Sequence, residues 1–414
     1  MLYDKLAKII TPTGLKWKKK LAMISTVKLQ RNSNILILSH FYKRTLAGGG
    51  PPQDIRDFFK LKVDNIYYIE HPFPYSDDHR SSLSIYKNGK LEKQFFAFRV
   101  FGPQVFLYPL DVIITLYFFI RIKKKFDLCV ALDNLNTLSV LPFKKAGLIQ
   151  KLVFYTIDYT PFRFKNKILN SIYHFIDRIA CYNADAIWVV SPRMIYARKN
   201  NGVNSKKTAP SISLPIGTNL ENIKLLPSNL INRYQIVFVG ILLEKQGIQL
   251  ILESLPRIIQ SIPNLKFVII GQGEYYSELK IQTKKLNIEK FVTFKGFVKD
   301  HKEVEKILCK SAVGLAPYVP TPDNFTIYAD PGKVKLYVAC GLPVVITDVP
   351  QIASVIDSKK AGMKVDYTVD SIAKALVQLL SNDTLYKEFR QNAIKLSKNY
   401  DMNTLIAKAL DKTN

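Results

Sequence analysis

The chain has 414 residues, 48% of them hydrophobic and 12% aromatic, and carries a formal net charge of +27. That length is too great for one ordinary core and fits two α/β domains of roughly 200 residues each. The apolar content excludes global disorder. The positive excess calls for a polyanionic partner or surface, or reflects a genome that writes lysine freely.

Residues 1–33 form a basic segment in which Lys16, Lys18, Lys19 and Lys20 flank Trp17, a pattern suited to an anionic membrane surface. The apolar run and cleavage site of a signal peptide are missing from it. Asn34 to Ser39 is a continuous apolar run, the signature of a strand buried on both faces of a parallel sheet. A glycine loop, Ala47-Gly48-Gly49-Gly50-Pro51-Pro52, follows, and a helical pattern starts at Asp54. Strand, glycine loop and helix make the first unit of a doubly wound fold. Asn65 to Glu70 is a second strand, and Asn88-Gly89 predicts a type I′ hairpin between Ser82–Tyr86 and Phe95–Val100. Val105 to Ile120 is apolar but too short for a membrane span and contains Pro109 and Asp111, so it reads as a buried or interfacial helix.

Asp127–Leu132, Leu152–Thr156 and Ala186–Val190 continue the βαβ rhythm, with a helix predicted over Phe164–Ile179. The pattern weakens into a linker running to Arg233. Beyond it, strands are expected at Gln235–Val239, Lys266–Ile270, Phe291–Phe294, Val313–Ala316 and Pro343–Thr347, with helices at Ile248–Ile262, Tyr276–Leu286 and Glu303–Cys309. The expected division is a first domain at 34–225, a second at 234–395, and a C-terminal helix at 396–414 that reaches back to the first. Cys129, Cys181, Cys309 and Cys340 lie far apart and read as core residues in a reducing compartment, which places the chain in the cytoplasm.

Ligands of doubly wound sheets bind beyond the carboxyl ends of the strands. Gly240, Gly271, Gly273 and Gly296 fall at such points, where glycine lets backbone amides approach a phosphate. Lys245 before Gly247, and Lys333 after Asp330-Pro331-Gly332, would supply fixed positive charge for a leaving diphosphate.

The runs FVGILLEKQGIQLILESL from Phe238, IIGQGE from Ile269, FKGFV from Phe294 and ACGLPVV from Ala339 resemble the donor-binding lobe of family-four (group 1) glycosyltransferases. The glycine loop, Ala184-Asp185 with Ser191, and Leu214-Pro215-Ile216-Gly217 more loosely resemble that family's acceptor lobe. The resemblance implies a GT-B fold, two doubly wound Rossmann-like domains facing across a cleft. It further implies a nucleotide-diphosphate sugar as co-substrate, retention of configuration, and no cofactor or obligatory metal; the chain has no Asp-x-Asp motif, and its five histidines are scattered.

On this reading Gly240, Lys245, Gly271, Gly273, Gly296, Asp330, Gly332 and Lys333 bind the donor, and Gly48, Gly49 and Gly50 receive a lipid-linked or saccharide acceptor. The chain departs from the family at Ile241, in place of an arginine, and at Gln246, in place of a lysine. The family's pair of glutamates separated by seven residues is replaced by Tyr328 and Leu336. Asp330 is the nearest carboxylate, a donor-hydroxyl ligand or a helix cap.

Asp133 and Asp158 follow the middle strands of the first domain and are the candidate catalytic residues. Asp158 reads as a general base, a helix cap or an acceptor ligand, and His40 as structural. The missing glutamates motivate one rival, a catalytically silent lobe pair that binds a nucleotide sugar or a partner subunit; a sugar-nucleotide epimerase is a second rival on fold grounds. Nucleic acid is not expected, since most aromatics fall in predicted strands and helices rather than along a basic groove.

Overall fold

A computed structural model describes residues 29–41, 50–99, 102 and 104–413. Residues 1–28 of the basic segment, with Gly48 and Gly49, lie outside the described residues.

Two sheets organise the chain. The first comprises β1 (Asn34–Phe41), β2 (Asn65–Pro72), β3 (Ser82–Lys87), β4 (Lys90–Phe96), β5 (Phe126–Leu132), β6 (Ile149–Thr156), β7 (Ala186–Val189) and β8 (Ser211–Ser213), in the order β4-β3-β2-β1-β5-β6-β7-β8. All neighbours are parallel except around the β3–β4 hairpin, whose Asn88 and Gly89 have the positive φ of a type I′ turn. Strand β1 is apolar throughout because it lies between two layers: Ile35 and Ile37 enter one core, Leu36 and Leu38 the other.

Helices α1 (Pro51–Lys60) and α5 (Pro192–Asn200) cover one face. Helices α2 (Gln104–Ile122), α3 (Asn134–Lys145) and α4 (Lys167–Asn183) cover the other. Helix α1 starts at Pro51 and not at Asp54, since proline at the first helical positions costs no hydrogen bond and presets φ. Helix α3 is hidden in the sequence by Pro142 and by four polar residues in its first turns.

The second sheet is fully parallel and consists of β9 (Gln235–Val239), β10 (Lys266–Ile270), β11 (Val292–Gly296), β12 (Val313–Ala316), β13 (Val344–Thr347) and β14 (Gly362–Val365). Its order is β11-β10-β9-β12-β13-β14, two βαβαβ halves wound outward from β9 and β12. Its helices are α6 (Ile248–Ser261), α7 (Tyr276–Lys285), α8 (His301–Lys310), α9 (Gly332–Ala339), α10 (Ile352–Ser358), α11 (Val369–Ser381) and α12 (Asp383–Ser397). Strands β8 and β14, at three and four residues, are too short to show a period in the sequence.

The last helix, α13 (Met402–Thr413), crosses back to the first sheet and buries Met402, Ile406 and Ala409 beside α1 and α5. Its end is fixed by Trp188, whose Nε1 donates to Thr413 Oγ1 at 2.8 Å, and by Lys151, whose Nζ donates to the Thr413 carbonyl at 2.6 Å. The chain therefore joins the lobes twice, through the linker after β8 and through the segment before α13.

Candidate functional site

Strand order reverses at β9/β12 in the second sheet and at β1/β5 in the first, so the carboxyl ends of those strands mark the crevices. At the second-sheet crevice the loops after β9 and β10 run against each other. The Leu242 amide donates to Gln272 O, and the Tyr275 amide returns the bond to Leu242 O. A Cβ on Gly271 would sit 1.8 Å from Gly240 O, and one on Gly273 would sit 2.2 Å from Leu242 O.

Glycine at these points thus lets two loops share one layer of backbone, ahead of any ligand. Gly271→Ala, with φ +139 and that clash, is expected to lose about 3 kcal/mol or more in denaturant unfolding. Gly50 is different. Its φ of -162 is extended backbone and the nearest atom to an added Cβ is Gln53 Oε1 at 3.5 Å, so Gly50→Ala should stay within about 0.5 kcal/mol of wild type.

Lys333, in the first turn of α9, reaches the turn at Gly240, where an added Cβ would lie 3.0 Å from its Nζ. The ammonium donates to Gln246 Oε1 at 2.6 Å and lies 4.0 Å from the Phe238 ring centroid and 5.2 Å from that of Tyr318. Among the described residues no carboxylate pairs with it, and desolvation pulls its pKa down to about 7. A cation held over aromatic faces without a counter-ion is a receptor for an anion. Gln246 is the residue that orients it.

The other candidates of this lobe are already occupied. Lys245 pairs with Asp323 at 2.6 Å, a half-buried ammonium against an exposed carboxylate. Asp330 takes the buried Lys335 ammonium on one oxygen, and its other oxygen accepts the Ile216 amide at 2.8 Å. It therefore fastens the linker to the second lobe, with Gly332 packed on the Ile216 side chain. Gly296 has φ +66 at the end of β11 and its carbonyl accepts the Gly271 amide. Leu336 is buried in apolar core and Tyr328 packs against the first-lobe core, so neither position offers a carboxylate.

At the first-lobe crevice, four ionisable groups, from β1, β2, α2 and the turn before α3, form a chain. His40 Nδ1 meets Asp133 Oδ2 at 2.7 Å, and His40 Nε2 meets Asp111 Oδ2 at 3.2 Å. Asp111 also lies 3.4 Å from His71, whose ring is bonded to Ser81 and Thr115 at 2.9 Å each. Desolvation alone would lower the His40 pKa, but the charge of Asp133 and hydrogen bonds to both aspartates outweigh it and raise the value to about 10. His71 lacks that balance, and burial takes it down to about 4. His40 is thus an imidazolium and His71 a neutral ring.

Asp133 caps α3 through the Asn136 amide at 2.8 Å and adopts φ +93, a conformation rare outside glycine. Its carboxylate is committed to His40 and Asn136. Asp158 is bound by Arg163 at 2.5 Å in an open ion pair. Asp54, in the first turn of α1, has no such partner among the described residues, and burial followed by the charge of Asp57 lifts its pKa to about 7. The Tyr155 hydroxyl donates to the Leu214 carbonyl at 3.4 Å, and burial above all, with the charges of Asp54 and Asp330 behind it, raises its pKa.

Arg193 of α5 spans the lobes, donating to Ile327 O at 3.1 Å and Val349 O at 2.7 Å. Beside it a cavity of 370 Å³ is lined by Pro161 and Phe162 from the first lobe and Tyr328 from the second. Among the described residues no three His, Cys, Asp or Glu side chains gather to hold a metal. Sequence reasoning saw Gln246 only as a departure from a family lysine, and missed Asp54, Arg193 and the pairing of Asp111 with His40. Only Asp111 gave a signal, as a charged residue inside an apolar run.

Residues 233–382 match the family described as glycosyl transferases group 1. An uncharacterized glycosyltransferase of Methanocaldococcus jannaschii is 33% identical over 163 residues, which is 39% of this chain and 39% of that relative. Sucrose-phosphate synthase from Thermosynechococcus elongatus aligns over 92% of this chain and 98% of its own, with TM-score 0.67 and 14% identity. Anabaena HepE in complex with UDP aligns over 92% and 100%, with TM-score 0.64 and 14% identity. WaaG, a glycosyltransferase involved in lipopolysaccharide biosynthesis, aligns over 91% and 99%, with TM-score 0.62 and 13% identity. The two-sheet architecture is therefore the GT-B fold.

Proposed function

We propose that this chain, whose residues 233–382 form a group 1 glycosyl transferase domain within a GT-B fold, transfers a sugar from a nucleotide-diphosphate donor to a lipid-linked or polysaccharide acceptor. The carrying observation is Lys333, a desolvated cation without a carboxylate at the β9/β12 crevice. The donor diphosphate lies against Lys333 and the turn at Gly240, where positive charge offsets what develops as the glycosidic bond breaks. No metal is assigned to that step; Lys333 supplies the charge.

The acceptor hydroxyl enters from the first lobe. Its proton goes to a carboxylate there, and Asp54, with a pKa near 7 and no ion-pair partner among the described residues, suits that task better than Asp158, which Arg163 holds. His40, Asp111 and Asp133 form the positioning network behind that wall. Transfer with retention, in cell-envelope polysaccharide synthesis at the inner face of the membrane, completes the reading.

The reading is tested by incubating the full chain with a panel of nucleotide sugars and membrane lipid extract, following both labelled product and released nucleoside diphosphate. Product with one donor supports it; no transfer with any donor overturns it. One observation favours a second reading, a silent sugar-nucleotide-binding protein: the glutamate positions hold Tyr328 and Leu336, so nothing there grips the donor ribose. Donor binding without turnover would select that second reading.

A further inference from the structure

Helix α2 is built inside out. Its polar side chains, Asp111 and Thr115, are 6% and 0% exposed and bonded to the buried histidines, while Ile113, Tyr117 and Ile120 stand 60%, 50% and 66% exposed. A surface helix ordinarily turns its polar face outward. Helix α3 packs between α2 and α4, and α4 repeats the feature: Ile168, Ile172 and Phe175 are 72%, 48% and 59% exposed at the same four-then-three spacing. Singly exposed apolar residues need no explanation, but two stripes on neighbouring helices of one layer do.

Basic residues rim this layer. Arg121, Lys123, Lys124 and Lys125 stand exposed at the end of α2, and Lys165 and Lys167 at the head of α4. Beside the end of α2 a cavity of 480 Å³, lined by Lys93, Arg121 and Lys124 among others, has room for an anionic headgroup. Arg121 lies over Phe95 there, 4.3 Å from the ring centroid.

We infer that the outer face of α2, α3 and α4 is the surface by which the protein lies on an anionic lipid bilayer. The apolar stripes enter the boundary between headgroups and acyl chains, and the lysines and arginines take the headgroup phosphates. A bilayer fits better than a second copy of the chain, since two-fold pairing of this face would bring its basic rim against itself. The helices lie on the membrane without crossing it. Among the described residues none is long and apolar enough to span, and α2 is anchored to the sheet by Ile114, Phe118 and Phe119. Helix α3 starts at Asp133, next to the His40 network, so the acceptor crevice opens at the edge of the membrane-facing layer.

This deepens the peripheral placement proposed above and is independent of sugar transfer. The test is flotation of the full chain with vesicles of phosphatidylcholine alone or with about one-third phosphatidylglycerol. Wild type is expected to float with the anionic vesicles, to be released by high salt, and to ignore the neutral ones. I113E/I120E in α2 and, separately, I168E in α4 should each weaken partitioning about tenfold or more, while nucleotide-sugar binding is unchanged.

Three results would overturn the inference. Wild type could stay in solution with both vesicles. Both variants could float like wild type, which would move the attachment to the basic run from Lys16 to Lys20. Lastly, I113E/I120E could turn a dimer into a monomer without any vesicle binding by wild type, which would make the face a self-interface.

Discussion

Lys333→Met should weaken nucleoside-diphosphate binding about a hundredfold or more and, in the same protein, raise stability at neutral and acid pH. Both effects have one cause. The ammonium is desolvated between Phe238, Tyr318 and the Gly240 turn, and its hydrogen-bond partner among the described residues is the neutral Gln246 amide. Its pKa is about 7 in the folded chain against an ordinary 10.5. Between those values the unfolded chain holds one more proton, so the Lys333 contribution to stability rises with pH across the window and is least favourable below pH 7.

Methionine fills similar space without the charge, so the variant should gain about 2 kcal/mol at pH 6, less than the full shift because the residue is partly open to solvent. The gain should shrink toward pH 10. A bound diphosphate supplies the missing counter-charge and restores the proton. Calorimetry at pH 8 in two buffers of different ionisation enthalpy should therefore show uptake approaching one proton per donor bound. Unchanged donor affinity in Lys333→Met would move the diphosphate elsewhere.

The second lobe was legible because β9, β10, β12 and β13 are short apolar runs buried on both faces, and the turns after β9 and β10 must hold glycine. What those glycines do was not legible. Gly271 and Gly273 read as phosphate cradles, yet each is required first by the neighbouring loop backbone. Charged residues were legible in position but not in partner. Lys245 faces Asp323, 78 positions away, and Asp330 holds the Ile216 amide, 114 positions away. No local period carries such pairings.

Helix α2 shows the same limit from the other side. Its composition predicted a buried or interfacial helix, but only the fold reveals that Asp111 and Thr115 point inward while Ile113 and Ile120 point out. The first lobe was the harder half. Asp54 sits in an ordinary first helical turn, and its significance comes from burial and from the carboxylate of Asp57 beside it.

His40→Gln is expected to destabilise the protein by about 3–5 kcal/mol, because it leaves the buried Asp111 carboxylate without its cation. His71 supplies no second cation in the wild-type chain, where burial, with the charge of His40 adding to it, holds its pKa near 4. The double variant H40Q/D111N, which removes both charges, should recover much of the loss, and that recovery distinguishes charge from shape.

The pH dependence gives the sign. His40 titrates near 10 when folded and at 6.5 ordinarily, so between those values the folded chain holds the extra proton. Its contribution is full below pH 6.5, falls as pH rises, and is gone above about 10. Lys333 imposes the opposite slope over nearly the same interval. The two nearly cancel in wild type, whose stability should vary little between pH 7 and 10, whereas Lys333→Met should lose stability with rising pH and His40→Gln should gain it. Chemical denaturation of the three proteins at pH 7, 8.5 and 10 measures those slopes directly, and parallel profiles would mean that neither the imidazolium nor the neutralised lysine exists in the folded chain.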